Sequence, residues 1–195
     1  FEEHNIEVDD FTPAQPSLLD GNSLTPSGLG LFLNLDGVPG GSTDSQHQHQ
    51  IDILSFGWGG NAVQTLLGGG GGVGKTTFHE LHFVAPVSAA SPKLMALTAG
   101  GLHINSAHFG VVRLGNGSEF LSTDLQNITV TSDQVIVAKH GQLVEEFTLV
   151  FNSASLDYKP QAADGSLGAP VHFGLLQPSF EAFAPTQRSL LDTNF

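Results

Sequence analysis

The chain has 195 residues, 39% hydrophobic and 13% charged, with 19 acidic side chains against 6 lysines and arginines and a formal charge of −13. This size and apolar content suit one domain that buries its own core, and the acidic balance repels nucleic-acid phosphates and anionic membrane surfaces. No apolar run approaches the roughly 20 residues that span a bilayer, and the absence of cysteine removes disulfides and thiolate metal sites.

The chain opens on Phe1 rather than Met, compatible with a removed secretion signal and equally with a start further upstream. Residues 1–28 mix acids with three prolines and carry no sustained apolar period, so an extended arm is expected. Leu29, Leu31, Leu33 and Leu35 then alternate with Gly30, Phe32, Asn34 and Asp36, which predicts a strand with one apolar face. DGVPGGSTD (36–44) supplies turn residues, and HQIDILSFGWG (49–59) alternates again with apolar groups on both faces.

A glycine-rich loop is expected over 59–74, followed by a strand in KTTFHELHFV (75–84). One short helix is predicted from Ser91, read as its N-cap, through Pro92 and KLMALTA to Gly100 and Gly101. Strand-like segments SAHFGVVRL (106–114), SEFLSTDLQNITVT (118–131), DQVIVAKH (133–140) and LVEEFTLVFNSASLDYKP (143–160) follow. The fold class is therefore mainly β: a sandwich or barrel with one short flanking helix.

Inside GGGGGVGKTT (68–77), Gly69, Gly74, Lys75 and Thr76 match the phosphate-binding GxxxxGK[ST] pattern letter for letter. A working loop of that kind needs a buried strand before it and a helix starting at the lysine, whose free N–H groups hold the anion. Here the residues after Lys75 alternate like a strand, and the chain lacks βαβα texture. The match is read as a false positive, with no cofactor.

Nine histidines invite a metal reading. His47 and His49 would share a strand face, but no third ligand has suitable spacing. HELH (79–82) is one residue short of the helical zinc signature, and on a strand i and i+3 diverge, so surface or interface histidines are expected and no metal. There is no GxSxG elbow. The triplets at Asn116 and Asn127 are glycosylation-type, but patterns this short arise by chance. No catalytic residue is proposed.

Six blocks in order, LDGVPGGSTD (35–44), IDILSFGWG (51–59), GKTTFHELHF (74–83), SPKLMALTAGG (91–101), EEFTLVFNSASLDYKPQAADG (145–165) and PVHFG (170–174), resemble the Hcp family, whose members form the tube of bacterial type VI secretion systems. The likeness spans about residues 29–174. It implies two antiparallel sheets forming a barrel beside one helix, and a structural role in which hexameric rings stack into a hollow tube. It also implies that the loop after the second strand packs on a neighbouring ring, which places Gly68, Gly70, Gly72 and Val73 at an assembly interface.

Gly41 and Gln50 depart from the family's common Glu, and Leu175 from its common Trp. The larger departure is at the ends, which divides the chain into an N-terminal arm (1–28), a barrel (29–175) and a C-terminal arm (176–195). The arms carry Phe11, Phe180, Phe183, Leu190, Leu191 and Phe195, apolar groups expected to dock on a neighbouring subunit, by strand addition to an exposed edge among other ways. The expected partners are copies of the chain, then secretion components or effector cargo, without nucleic acid or membrane insertion. A secreted, extracellular filament fits the long arms and low lysine content. The other reading kept is a ring that carries an effector or binds a glycan.

Overall fold

The structure, a computed structural model, describes residues 28–64, 73–138, 141–162, 164–176, 178 and 180–181. The chain enters through β1 (Leu29–Leu35), whose odd-numbered leucines point inward as the alternation requires. Phe32 is also buried, contrary to simple alternation, because its ring stacks on the His47 imidazole at 4.0 Å on the outer side.

After the turn come β2 (Ile51–Asp52) and β3 (Ser55–Gly57), where the sequence predicts one strand. The split has a hydrogen-bonding cause. β2 pairs with β1, whereas β3 pairs with β6 (Leu81–Pro86), and the backbone changes partners between them: Ile53 N–H donates to Leu31 O at 2.9 Å and Leu54 N–H to Val84 O at 2.8 Å. His47 and His49 lie in the preceding turn rather than on a strand, and His49 takes a left-handed φ of 62°.

The main sheet runs β2, β1, β7 (His103–Arg113), β8 (Ser118–Val137), β9 (Leu143–Tyr158), β6, β3, all antiparallel. Because β2 and β3 stand at its two ends and are joined by two residues, the sheet curls into a barrel. The segments 118–131 and 133–140, expected as separate strands, form one strand of 20 residues, which absorbs the extra residue in a bulge between Val130 and Ser132.

Inside lie Leu33, Leu35, Ile51, Ile53, Leu81, Phe83, Phe109, Leu125, Ile128, Phe147 and Leu149, all fully buried. The helix α1 (Ser91–Gly100) packs on β8 and contributes Leu94 to the same core. Gly101 ends it in the left-handed region at φ 59°, as a C-terminal glycine should. Its start differs from expectation. Ala90 is the N-cap and Ser91 lies inside the helix, because the Ser91 hydroxyl is committed elsewhere: it accepts from Ser88 N–H at 3.0 Å and donates to Glu145 Oε2 at 2.8 Å.

A second, three-stranded sheet leaves the barrel. β4 (Gly60–Gln64) and β5 (Val73–His79) form a hairpin, and β11 (Phe180–Glu181) pairs with β5 in parallel. The loop expected over 59–74 is therefore shorter than read, since strand pairing extends through Gln64 and resumes at Val73. Glycine content masked β4 and the start of β5. β10 (Val171–Leu176) pairs with the C-terminal half of β9.

Candidate functional site

The phosphate-loop residues can be placed first. Gly74, Lys75 and Thr76 belong to β5, where Thr76 is registered against Ala62 and Thr77 against Asn61. The chain runs on from Lys75 as a strand through His79 and not as the helix whose first N–H groups complete a phosphate cradle. Val73 opens the same strand. Gly68, Gly69, Gly70 and Gly72, with Phe11, Phe183, Leu190, Leu191 and Phe195, lie outside the described residues.

Of the apolar anchors expected on the arms, Phe180 is the one that is described, and it packs on its own chain. Its ring meets Phe151 edge-on at 4.9 Å, and β11 sets it beside Phe78.

The groove beside the helix, of about 350 Å³, is lined by Asp36, Lys93, Leu97, Leu102, His103 and Asn105 among others. Its polar groups are spent on structure: Lys93 Nζ donates to Gly37 O at 2.7 Å and Asn105 Nδ2 to Asp36 Oδ2 at 3.1 Å. Among the described residues no group of three or more His, Asp or Glu is placed to hold a metal. His82, expected at a surface or interface, is buried in β6.

Two titratable clusters were not legible from spacing. On the outer face His108 bridges two carboxylates, Glu119 through Nε2 at 2.8 Å and Asp124 through Nδ1 at 2.7 Å. The hydrogen bond to Glu119 leads in pushing its pKa up from 6.5 to about 9, with Asp124 adding to it against a counteracting burial cost. A base with a raised folded pKa stabilises fully below its unfolded value of 6.5 and loses that stabilisation as pH rises through 9. His108→Gln should therefore lower stability by about 1 kcal/mol at pH 7, near 3 °C in melting temperature. The deficit should vanish at pH 10, as thermal melts at the two pH values will show.

The second cluster is internal. Glu145 is fully buried on β9 beneath the helix, and Asp133 of β8 lies beside it. Burial pushes Glu145 up to about 7, against the Ser91 hydrogen bond, and the neighbouring Asp133 adds to the rise. Burial raises Asp133 as well.

The surface that stands out is strand β10. Among the described residues it pairs with β9 along one side only, and Val171, Phe173 and Leu176 are 65%, 45% and 81% exposed. An unpaired edge carrying apolar side chains invites another strand.

Comparison with known proteins decides what kind of chain this is. Residues 32–158 match the family described as Type VI secretion system effector, Hcp. The chain belongs to the Hcp family. It is 34% identical over 151 residues to Protein hcp1 of Pseudomonas aeruginosa, a match that covers 74% of this chain and 92% of that protein. A solved structure of a type six secretion system protein superposes with a TM-score of 0.70 at 25% identity, covering 76% of this chain and 95% of the other. Hcp1 from Salmonella typhimurium shares the fold, with a TM-score of 0.64 at 24% identity, covering 77% of this chain and 95% of that one. The mainly β barrel with one helix, expected from the sequence, is thus the Hcp fold. These relatives are covered almost whole, whereas about a quarter of this Hcp chain has no counterpart in them. Strands β10 and β11 lie beyond the residues that match the family.

Proposed function

We propose that this Hcp chain is a non-catalytic structural subunit, secreted from the cell, whose copies join side by side into hexameric rings that stack as a hollow tube or filament. The edge of β10 that has no partner among the described residues carries the reading. A free strand edge with three exposed apolar side chains is a liability in a monomer, and pairing with a second copy removes it. Membership of a type VI secretion family supports the same assignment. Glycines 68–72, which join β4 to β5, and the two arms then serve contacts between rings, with Phe11, Phe183, Leu190, Leu191 and Phe195 as their apolar anchors. The arms flank a barrel of residues 29–175.

The test is to place a lysine on the edge. Leu176→Lys, combined with Val171→Lys, leaves the core untouched but puts two charges where a partner strand would lie. Losing the burial of even one such side chain costs about 1.5–3 kcal/mol, which weakens association by roughly 10- to 100-fold. Sedimentation velocity should show ring-sized species for the wild type and mostly monomer for the variant. Identical sedimentation of the two proteins contradicts the edge as the joint.

A further inference from the structure

Strand β9 has one edge shared by two partners. β6 takes residues 144–149 and β10 takes 153–158. Between them the chain that continues β6 backwards, β5, parts from the barrel and joins β4 in the second sheet. The place where the chain parts from β9, between β6 and β5, is thus a fork, and Phe180 packs into it against Phe151. The chain leaves β10 at Leu176 and, within a few residues, β11 lies along β5, with Phe180 opposite Phe78 and Glu181 opposite His79.

Four aromatic rings from different segments meet there. Phe180 sits edge-on to Phe151 at 4.9 Å and 82°. Phe151 of β9 meets Trp58 at 5.7 Å and 75°, and Trp58, between β3 and β4, lies 6.4 Å from Phe78 of β5. The hinge on the β4 side is equally close, since a Cβ on Gly60 would come 2.9 Å from the Phe78 ring and 3.0 Å from Thr77 O. A side chain there would force the hairpin away from its present path.

We infer that β11 is a latch that fixes the angle at which the β4–β5 hairpin leaves the barrel, with Phe180 as its positioning residue. The hairpin is continuous with the barrel through residues 58–59 and 80, where one backbone hydrogen bond, His79 N–H to Gly59 O at 2.8 Å, and the Trp58–Phe151 contact hold the junction. By pairing with β5, β11 adds an attachment further along the hairpin, which restrains its angle to the barrel. A hairpin held at one angle presents its end to another subunit without paying the ordering cost at the moment of contact. The inference rests on the tube reading for its purpose, but not for its geometry. It also gives the C-terminal segment of this Hcp chain a local task that lies outside the residues shared with the family.

The single tryptophan of the chain is Trp58, inside the fork, so its fluorescence reports on the latch directly. The full chain carrying Phe180→Ala should show red-shifted tryptophan emission. Amide exchange at Thr76, Thr77 and Phe78 should accelerate at least tenfold, while Phe83 and Phe147 in the barrel exchange as in the wild type. Phe180→Leu, which refills the fork, should restore most of the protection. Unchanged exchange in β5 and unchanged emission overturn the latch, and so does acceleration spread evenly over the barrel, which marks Phe180 as an ordinary core residue. These readings are taken on dilute, unassembled protein. Failure of the chain to form tubes therefore counts against the tube reading alone, and the latch stands or falls by exchange.

Discussion

Phe83→Ala should lower the unfolding free energy by about 4 kcal/mol, within the 3–5 kcal/mol typical of deleting a buried phenylalanine. Phe83 is fully buried in β6, directly opposite Phe147 of β9, with ring centres 5.4 Å apart, and it meets Phe109 of β7 edge-on at 5.2 Å. β6 and β7 lie on different sides of the curled sheet, so this ring bonds the barrel across its interior. The cavity left behind is bounded by three strands that are themselves hydrogen-bonded on both sides, and it cannot collapse cheaply. Against a total stability of order 5–15 kcal/mol, a chain of this size should melt about 12 °C lower. Phe173→Ala, at the exposed β10 edge, should cost well under 1 kcal/mol in the dilute monomer. Equal effects of the two substitutions in urea titrations would show that the core is elsewhere.

Glu145→Gln should stabilise the protein, and only above mildly acidic pH. The group's ordinary value is 4.5 and its folded value about 7, so between these the folded chain holds a proton that the unfolded chain has released. Stability therefore falls as pH rises from 4.5 to 7 and stays at the lower level beyond. A separation of that size corresponds to about 3 kcal/mol, the cost of ionising a carboxyl in the interior. Glutamine keeps the shape and the oxygen that accepts from Ser91, carries no charge, and offers Asp133 a donor. The variant should match the wild type near pH 4.5 and exceed it by about 3 kcal/mol at pH 8 in denaturant titrations. A variant less stable than the wild type at pH 8 would mean that the ionised glutamate is wanted there. With His108 losing its contribution through pH 9, both groups place the stability maximum on the acidic side of neutrality.

The fold was legible wherever one physical signal dominated. Leucines at 29, 31, 33 and 35 wrote β1 in a period of two, and Pro92 with Gly100 and Gly101 bracketed the helix. Elements were misread where tertiary partners override local pattern. The split of β2 from β3 depends on which strand accepts from Ile53 and Leu54, and nothing in residues 49–59 states that. Ser91 carries the chemistry of an N-cap, yet its hydroxyl turns to a glutamate 54 positions away. Strand β4 and the first two residues of β5 were hidden by glycine, whose presence in a run says loop while backbone pairing alone makes the strand.

The candidate site was legible only in part. The strand-like alternation after Lys75 was legible, and the chain does run there as β5. Phe180 was visible as an apolar residue in need of burial, but its place in the fork depends on where the chain of β5 and β6 parts from β9. Val171, Phe173 and Leu176 resemble any strand in sequence. Only the sheet order shows that, among the described residues, this one has an unpaired side.

The central claim, a chain that builds a hollow assembly from copies of itself, meets its most direct test in negative-stain electron microscopy of the purified full-length protein across a range of concentrations. The account predicts rings with an open centre that stack into tubes of constant diameter as concentration rises. A field of featureless particles at every concentration, with the sedimentation of a monomer, would contradict it.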